Sequence, residues 1–145
     1  MAISKGLTGN RVINGTYGHC IINGEELSAC KSLQAKLDVD TEEIFLPDKF
    51  IVDNTPIKAT GKGSVTLYKI DSFMHKLIGE KLKNGEPFSC EIITQLKDPK
   101  SYGSEAYALT GVYFTDLTIA DWERAKTGEI ECPFVFSDFD AMDLI

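Results

Sequence analysis

Between Leu33 and Asp40 the chain alternates without a break: Leu33, Ala35, Leu37 and Val39 are apolar, while Gln34, Lys36, Asp38 and Asp40 are polar. A period of two is the repeat of a β-strand, and it turns one set of side chains toward a core and the other toward water. A fold containing this segment therefore needs a sheet with one dry face. Two further stretches repeat the pattern. Phe88, Cys90, Ile92 and Leu96 alternate with Ser89, Glu91, Gln95 and Lys97, and Ile130, Cys132, Phe134 and Phe136 alternate with Glu129, Glu131 and Val135.

The punctuation between these runs suits antiparallel strands. Tyr17 to Ile22 runs into Asn23-Gly24, a pair that accepts the positive φ angles of a tight hairpin. Asp98-Pro99-Lys100-Ser101-Tyr102-Gly103 reads as an exposed turn, and Ala106 to Thr118 as the strand that pairs across it. Thr127-Gly128 marks the turn into the last strand, Ile130 to Phe136, where Pro133 predicts a free edge or a bulge. One helix is expected. Asp71-Ser72 can cap it, Phe73, Met74, Leu77, Ile78 and Leu82 fall on one helical face, and Asn84-Gly85 followed by Pro87 ends it after about three turns. Val65, Leu67 and Tyr68 form a short strand before it.

Two segments fit neither period. Residues 1–15 are polar and rich in Gly, Asn and Thr, and read as an N-terminal arm that orders on binding. Residues 41–62 carry Pro47, Pro56 and Gly61 around Ile44, Phe45, Leu46, Phe50, Ile51 and Val52, and read as a long connection with adhesive side chains. Apolar groups on such a loop either cover an edge of the chain's own core or meet a partner. The sum is one mainly β (α+β) domain over residues 1–145, an antiparallel sandwich or small barrel with one helix.

Several function classes fall away. Fifteen Lys and Arg against 22 Asp and Glu give a net charge of −7, which repels a nucleic-acid backbone. Most of the excess lies beyond Asp116, in a segment that still contains aromatics. No apolar run reaches the roughly 18 residues of a membrane span, and residues 1–10 hold no signal-peptide core, so no membrane anchor and a cytoplasmic origin are expected. Cys20, Cys30, Cys90 and Cys132 form no CxxC pair and suggest neither zinc nor redox chemistry, only reduced, packed thiols. His19 and His75 lack a cysteine or serine at motif spacing. Glu25-Glu26, Glu42-Glu43 and Asp138 with Asp140 are carboxylate pairs of the kind that turns display to solvent. Gly61-Lys62-Gly63-Ser64 lacks the spacing of a phosphate loop and leads into a strand. No catalytic residue, metal site or cofactor is expected.

The most distinctive segment is Cys132-Pro133-Phe134-Val135-Phe136-Ser137-Asp138-Phe139-Asp140, strand aromatics running into an acidic, aromatic end. It resembles the Pro-Phe-Thr-Phe-Glu-Asp-Phe-Asp type ending of the PBSX-like prophage core tail proteins, the tail-tube subunits of contractile phage tails and related bacteriocins. The likeness spans nearly the whole chain in order. It includes the Gly- and Thr-rich arm, the Asn23-Gly24-Glu25-Glu26 hairpin with the strand to Val39, and Gly61 to Lys69 leading into the helix.

The resemblance implies a tail-tube fold and a structural role. Six subunits would form a ring, rings would stack into a hollow cylinder, and the inner strands would join into one barrel that removes every free strand edge. Partners would be further copies of the chain, a sheath protein, a baseplate and a tape-measure protein, in a virion tail or bacteriocin particle. DNA or an effector would pass the lumen without specific binding. Interface candidates are Ile44, Phe45, Leu46, Phe50, Ile51, Val52, Trp122 and Phe139, although Trp122 could equally cover the chain's own sheet. Asp38, Asp40, Glu91, Glu129 and Glu131 stand on polar strand faces and are candidates for the lumen. The rival reading is a small β-domain that binds a cell-wall ligand on an aromatic platform built from Tyr102, Tyr107 and Tyr113.

Overall fold

A computed structural model describes residues 12–99 and 103–144; most of the expected arm lies outside them. Eight strands follow in order: β1 (Gly18–Ile22), β2 (Glu25–Glu26), β3 (Cys30–Ile44), β4 (Asp53–Tyr68), β5 (Cys90–Leu96), β6 (Glu105–Phe114), β7 (Glu129–Phe136) and β8 (Asp138–Asp143). All pairings are antiparallel. The strand order is β2-β1-β5-β6-β7-β4-β3, with β8 beside β6. Two layers result, one built from β2, β1, β5, β6 and β8, the other from β7, β4 and β3.

The layers meet because one strand changes sides. β7 and β8 run on through Ser137 and keep one register against β6, from Phe114 opposite Phe134 to Leu109 opposite Phe139. At the crossing Gly111 takes φ +62, a conformation that costs a residue with a Cβ, and Ser137 donates its backbone N–H to the Thr110 carbonyl at 3.1 Å. The core lies between the layers. Ile22, Val65, Ile92, Val112, Cys132 and Phe134 are almost wholly buried, and Phe134 packs edge-on against Phe114 with centroids 5.9 Å apart.

Local expectations mostly hold. Asn23 and Gly24 adopt φ 50 and 86 in the β1–β2 turn. The helical segment is a π-helical turn (His75–Gly79) followed by a short helix α1 (Glu80–Lys83). Helical residues run without a break over 73–83, the expected three turns, but the π-helical turn makes them less regular than an α-helix. Asp71 caps it through the Phe73 N–H at 3.1 Å, and Glu86 N–H to Lys81 C=O at 2.9 Å closes its end. Met74 and Ile78 are its buried anchors, while Leu82 stays exposed.

Three expectations are corrected. Residues 41–62 are not a loop: 41–44 belong to β3 and 53–62 to β4, leaving a short tip, 45–52, on a long hairpin. Pro56 is tolerated in the strand because the register shifts beside it, between Asp40 opposite Lys58 and Thr41 opposite Pro56, so that Ile57 is the extra residue. Pro133 does not mark a sheet edge. β7 lies between β4 and β6, and the missing N–H falls on the side where the β6 ladder ends, at Thr115, whose own N–H reaches the Pro133 carbonyl at 3.1 Å. Tyr107 and Tyr113, expected together in one aromatic platform, do not share a face. The bulge at Gly111 leaves Tyr107 on the inner side with Leu109 and turns Tyr113 outward.

Candidate assembly surfaces

The β3–β4 hairpin dominates the surface. Only its lower half is held by a third strand, because β7 pairs with β4 from Gly61 to Tyr68 and no further. Beyond Gly61 the two strands continue as a free ribbon to the tip. Throughout its length β3 pairs only with β4, so among the described residues its outer edge is unpaired.

Side chains on the ribbon keep the alternation of the sheet. Directly opposed residues of an antiparallel pair share a face. The inner set, Leu33 and Val65, continues outward as Leu37, Val39, Ala59 and Ile57. Leu33 and Val65 reach the core. Leu37, at the rim of a groove shared with the other layer, and Val39 and Ile57 beyond it remain 44%, 55% and 58% exposed. At the tip Phe50 is fully exposed, Phe45 and Ile51 nearly so, and Ile44 and Leu46 about four-tenths, while Val52 is partly covered. The structure thus extends the expected apolar surface down the inner face of the ribbon. Leu37 and Val39 carry the signal in the sequence, but alternation alone does not say that the opposing layer ends beside them.

Four of the five expected lumen acids fall together. Asp38 and Asp40 on β3 and Glu129 and Glu131 on β7 all lie on the outer face of the sheet, Glu129 and Glu131 at its base opposite Tyr68 and Thr66, Asp38 and Asp40 further along the ribbon opposite Thr60 and Lys58. Glu91 stands apart on β5, in the other layer. The face is not simply acidic. Lys62 pairs with Asp38, Lys58 reaches Asp40 at 3.5 Å, and Lys31 meets Glu129 at 2.8 Å while standing over the Tyr68 ring. The Lys62 ammonium holds the Asp38 carboxyl below its usual range, and the carboxylate in turn raises the lysine. All of these pairs are solvated and screened.

Trp122 and Phe139 are widely separated in role. Trp122 is 74% exposed in the β6–β7 connection, with the Arg124 guanidinium 5.9 Å from its ring. Phe139 on β8 leans on Tyr107, centroids 6.4 Å apart, and with Leu33, Leu37 and Phe136 lines an apolar groove of about 280 Å³ along the inner side of β3. The aromatic platform of the rival reading does not form among the described residues: Tyr107 sits in this groove, Tyr113 faces the opposite way, and Tyr102 lies outside them. Nor do the described residues gather three metal-ligating side chains. His19 bonds Glu26 at 2.7 Å on the exposed β1–β2 hairpin, and the His75 ring fills the space beside Gly79.

A two-layered β-protein with an unpaired strand edge and an uncovered apolar ribbon has the build of a structural component. The chain belongs to the phage tail tube protein family, whose profile matches residues 5–143. It is 28% identical over 136 residues to the phage-like element PBSX protein XkdM of Bacillus subtilis (strain 168), with 92% of each chain covered. Its fold is similar to the sheath/tube terminator of the PVC extracellular contractile injection system in the extended state, at TM-score 0.74 and 10% identity over 90% of this chain and 96% of that one. It is also similar to the tube-terminating cap of the anti-feeding prophage, at TM-score 0.72 and 12% identity over 99% and 100%. The chain is accordingly a tube-type structural protein of phage-like tails.

Proposed function

We infer that the chain is the repeating subunit of a tail tube, assembling as hexameric rings that stack around a lumen through which DNA or an effector passes, in a contractile phage tail or bacteriocin. The observation that carries this reading is the free ribbon: a long strand pair with an open edge, whose inner face and tip expose Leu37, Val39, Ile57, Phe45, Phe50 and Ile51. Such an edge invites aggregation in a lone monomer, and ring closure is the arrangement that satisfies it with copies of the same chain. The tip, with Ile44, Leu46 and Val52, then packs on neighbouring subunits, as do Trp122 and Phe139.

The outer face of the β3–β4–β7 layer is the lumen wall in this arrangement. Asp38, Asp40, Glu129 and Glu131 line it together with lysines, giving a polar surface of ion pairs over which a phosphate backbone slides without strong attraction. Glu91, on the other layer, faces elsewhere in the ring. A tail sheath surrounds the tube, a baseplate and tape-measure protein govern its start and length, and the subunit is made in the bacterial host cytoplasm before it enters the particle. No cofactor has a part in this role.

The test is a pair of charge substitutions at the tip, Phe50→Asp with Ile51→Asp. Both side chains are exposed, so circular dichroism should report an unchanged fold. Light scattering should show that the variant has lost the high-mass species of the unsubstituted chain. Assembly that proceeds equally well with both charges in place would overturn the assignment of the tip.

A further inference from the structure

We propose that Cys20 and Cys30 form a peroxide-responsive dithiol that closes to a disulfide in the folded chain, tying the base of the long hairpin to the opposite layer. The two strands that carry them, β1 and β3, are not sheet neighbours, yet approach within 8 Å between Cα atoms. One residue clamps both backbones. Leu27 donates its N–H to the Cys20 carbonyl at 2.8 Å and accepts the Cys30 N–H at 3.2 Å. Both thiols line the same cavity of about 740 Å³, which opens between the ends of β1 and β5 and the start of β3.

Their environments differ in the way such chemistry needs. Cys20 is buried at 3% exposure, while Cys30 is partly exposed and its thiol lies 3.5 Å from the Ser32 carbonyl. The neighbouring Cys30 thiol together with burial pushes Cys20 up, while Cys20 in turn holds Cys30 below its ordinary value. Cys30 is thus the accessible nucleophile and Cys20 the resolving partner behind it. Cys90 and Cys132 are both buried and do not line this cavity.

The oxidant class is a hydroperoxide. The Cys30 thiolate attacks one peroxide oxygen, the O–O bond breaks, and the departing oxygen takes up a proton and leaves as water, so Cys30 becomes a sulfenic acid. The Cys20 sulfur then attacks the Cys30 sulfur, the S–O bond breaks, and the hydroxide released carries off the Cys20 proton as a second water. Two thiols are oxidised by two electrons and one hydrogen peroxide is reduced to two waters. The inference rests on the monomer's own geometry and does not depend on the tube reading.

Treating the folded chain with hydrogen peroxide and mapping its peptides by mass spectrometry under non-reducing conditions tests it. The expected product is a single Cys20–Cys30 cross-linked peptide, about 2 Da lighter than the sum of its reduced parts and restored by dithiothreitol. Cys30→Ser, at a partly exposed position, should keep the circular dichroism spectrum and lose the cross-link, with Cys20 left unmodified. Sulfinic acid on Cys30 without the cross-link, disulfides between chains, or four thiols that stay reduced until the chain unfolds would each overturn the proposal.

Discussion

Replacing Gly63 by alanine puts a methyl group where two strands and an aromatic ring already meet. A Cβ built at Gly63 falls 2.1 Å from the Gln34 carbonyl oxygen, 2.9 Å from the Ala35 Cα and 2.9 Å from the Phe134 ring. Carbon and oxygen normally approach to about 3.3 Å, so more than an ångström of overlap must be absorbed, and the obstacle is backbone that cannot rotate away. Overpacking costs about 1–3 kcal/mol, and a clash against paired main chain belongs at the upper end, about 3 kcal/mol. With a urea dependence of about 2 kcal/mol per M for a chain of this size, the midpoint should fall by about 1.5 M. Equilibrium unfolding followed by circular dichroism, at a concentration where the chain is not assembled, measures it. Gly61→Ala should cost less, because the three atoms nearest its Cβ all belong to the Phe136 ring, the first at 2.5 Å, and a ring can shift. Gly15→Ala, with nothing within 4 Å, is the control and should stay within about 0.5 kcal/mol of the unsubstituted chain. A Gly63→Ala midpoint equal to that of Gly15→Ala would refute the reasoning.

Two titrations follow from the same structure. Asp38 should titrate below its ordinary 3.8 by nuclear magnetic resonance, with its contribution to stability present above that value and lost as the pH falls through the lowered one, and Lys62→Ala should return the midpoint toward 3.8. Burial pushes the Cys132 thiol from 9.0 to about 11, so the unfolded chain ionises first and stability should decline between about pH 9 and 11, by up to about 1.4 kcal/mol per pH unit for this group. Cys20 and Cys90 are raised as well and act in the same direction. Cys132→Ala should therefore flatten the slope without abolishing it.

The strands are legible where alternation coincides with burial on one side. Ile130, Cys132, Phe134 and Phe136 read directly as an inward face, and Asn23-Gly24 as a hairpin, because both signals are local. The ribbon is not, since Pro47, Pro56 and Gly61 are the residues that ordinarily break strands. Here Pro47 lies in the tip, Pro56 beside a bulge, and Gly61 beneath the Phe136 ring, so each is compatible with a long hairpin for a reason that depends on the surrounding fold. Gly61-Lys62-Gly63 gains its meaning from the rings of Phe134 and Phe136, on a neighbouring strand that is distant in sequence, and at Gly63 also from the β3 backbone at Gln34 and Ala35. The strand after Ser137 is hidden in the acidic end because Asp138, Asp140 and Asp143 are poor strand formers, carried by pairing with β6. Of the site, the tip residues are visible as apolar groups in a polar stretch. The extension through Leu37, Val39 and Ile57 depends on where the second layer ends, and that is a property of the whole fold.

Electron microscopy of the purified chain over a range of concentrations tests the central claim most directly. The tube account predicts six-subunit rings, or hollow cylinders of stacked rings, growing in number with concentration. A monodisperse monomer at every concentration, with neither rings nor cylinders, would contradict it.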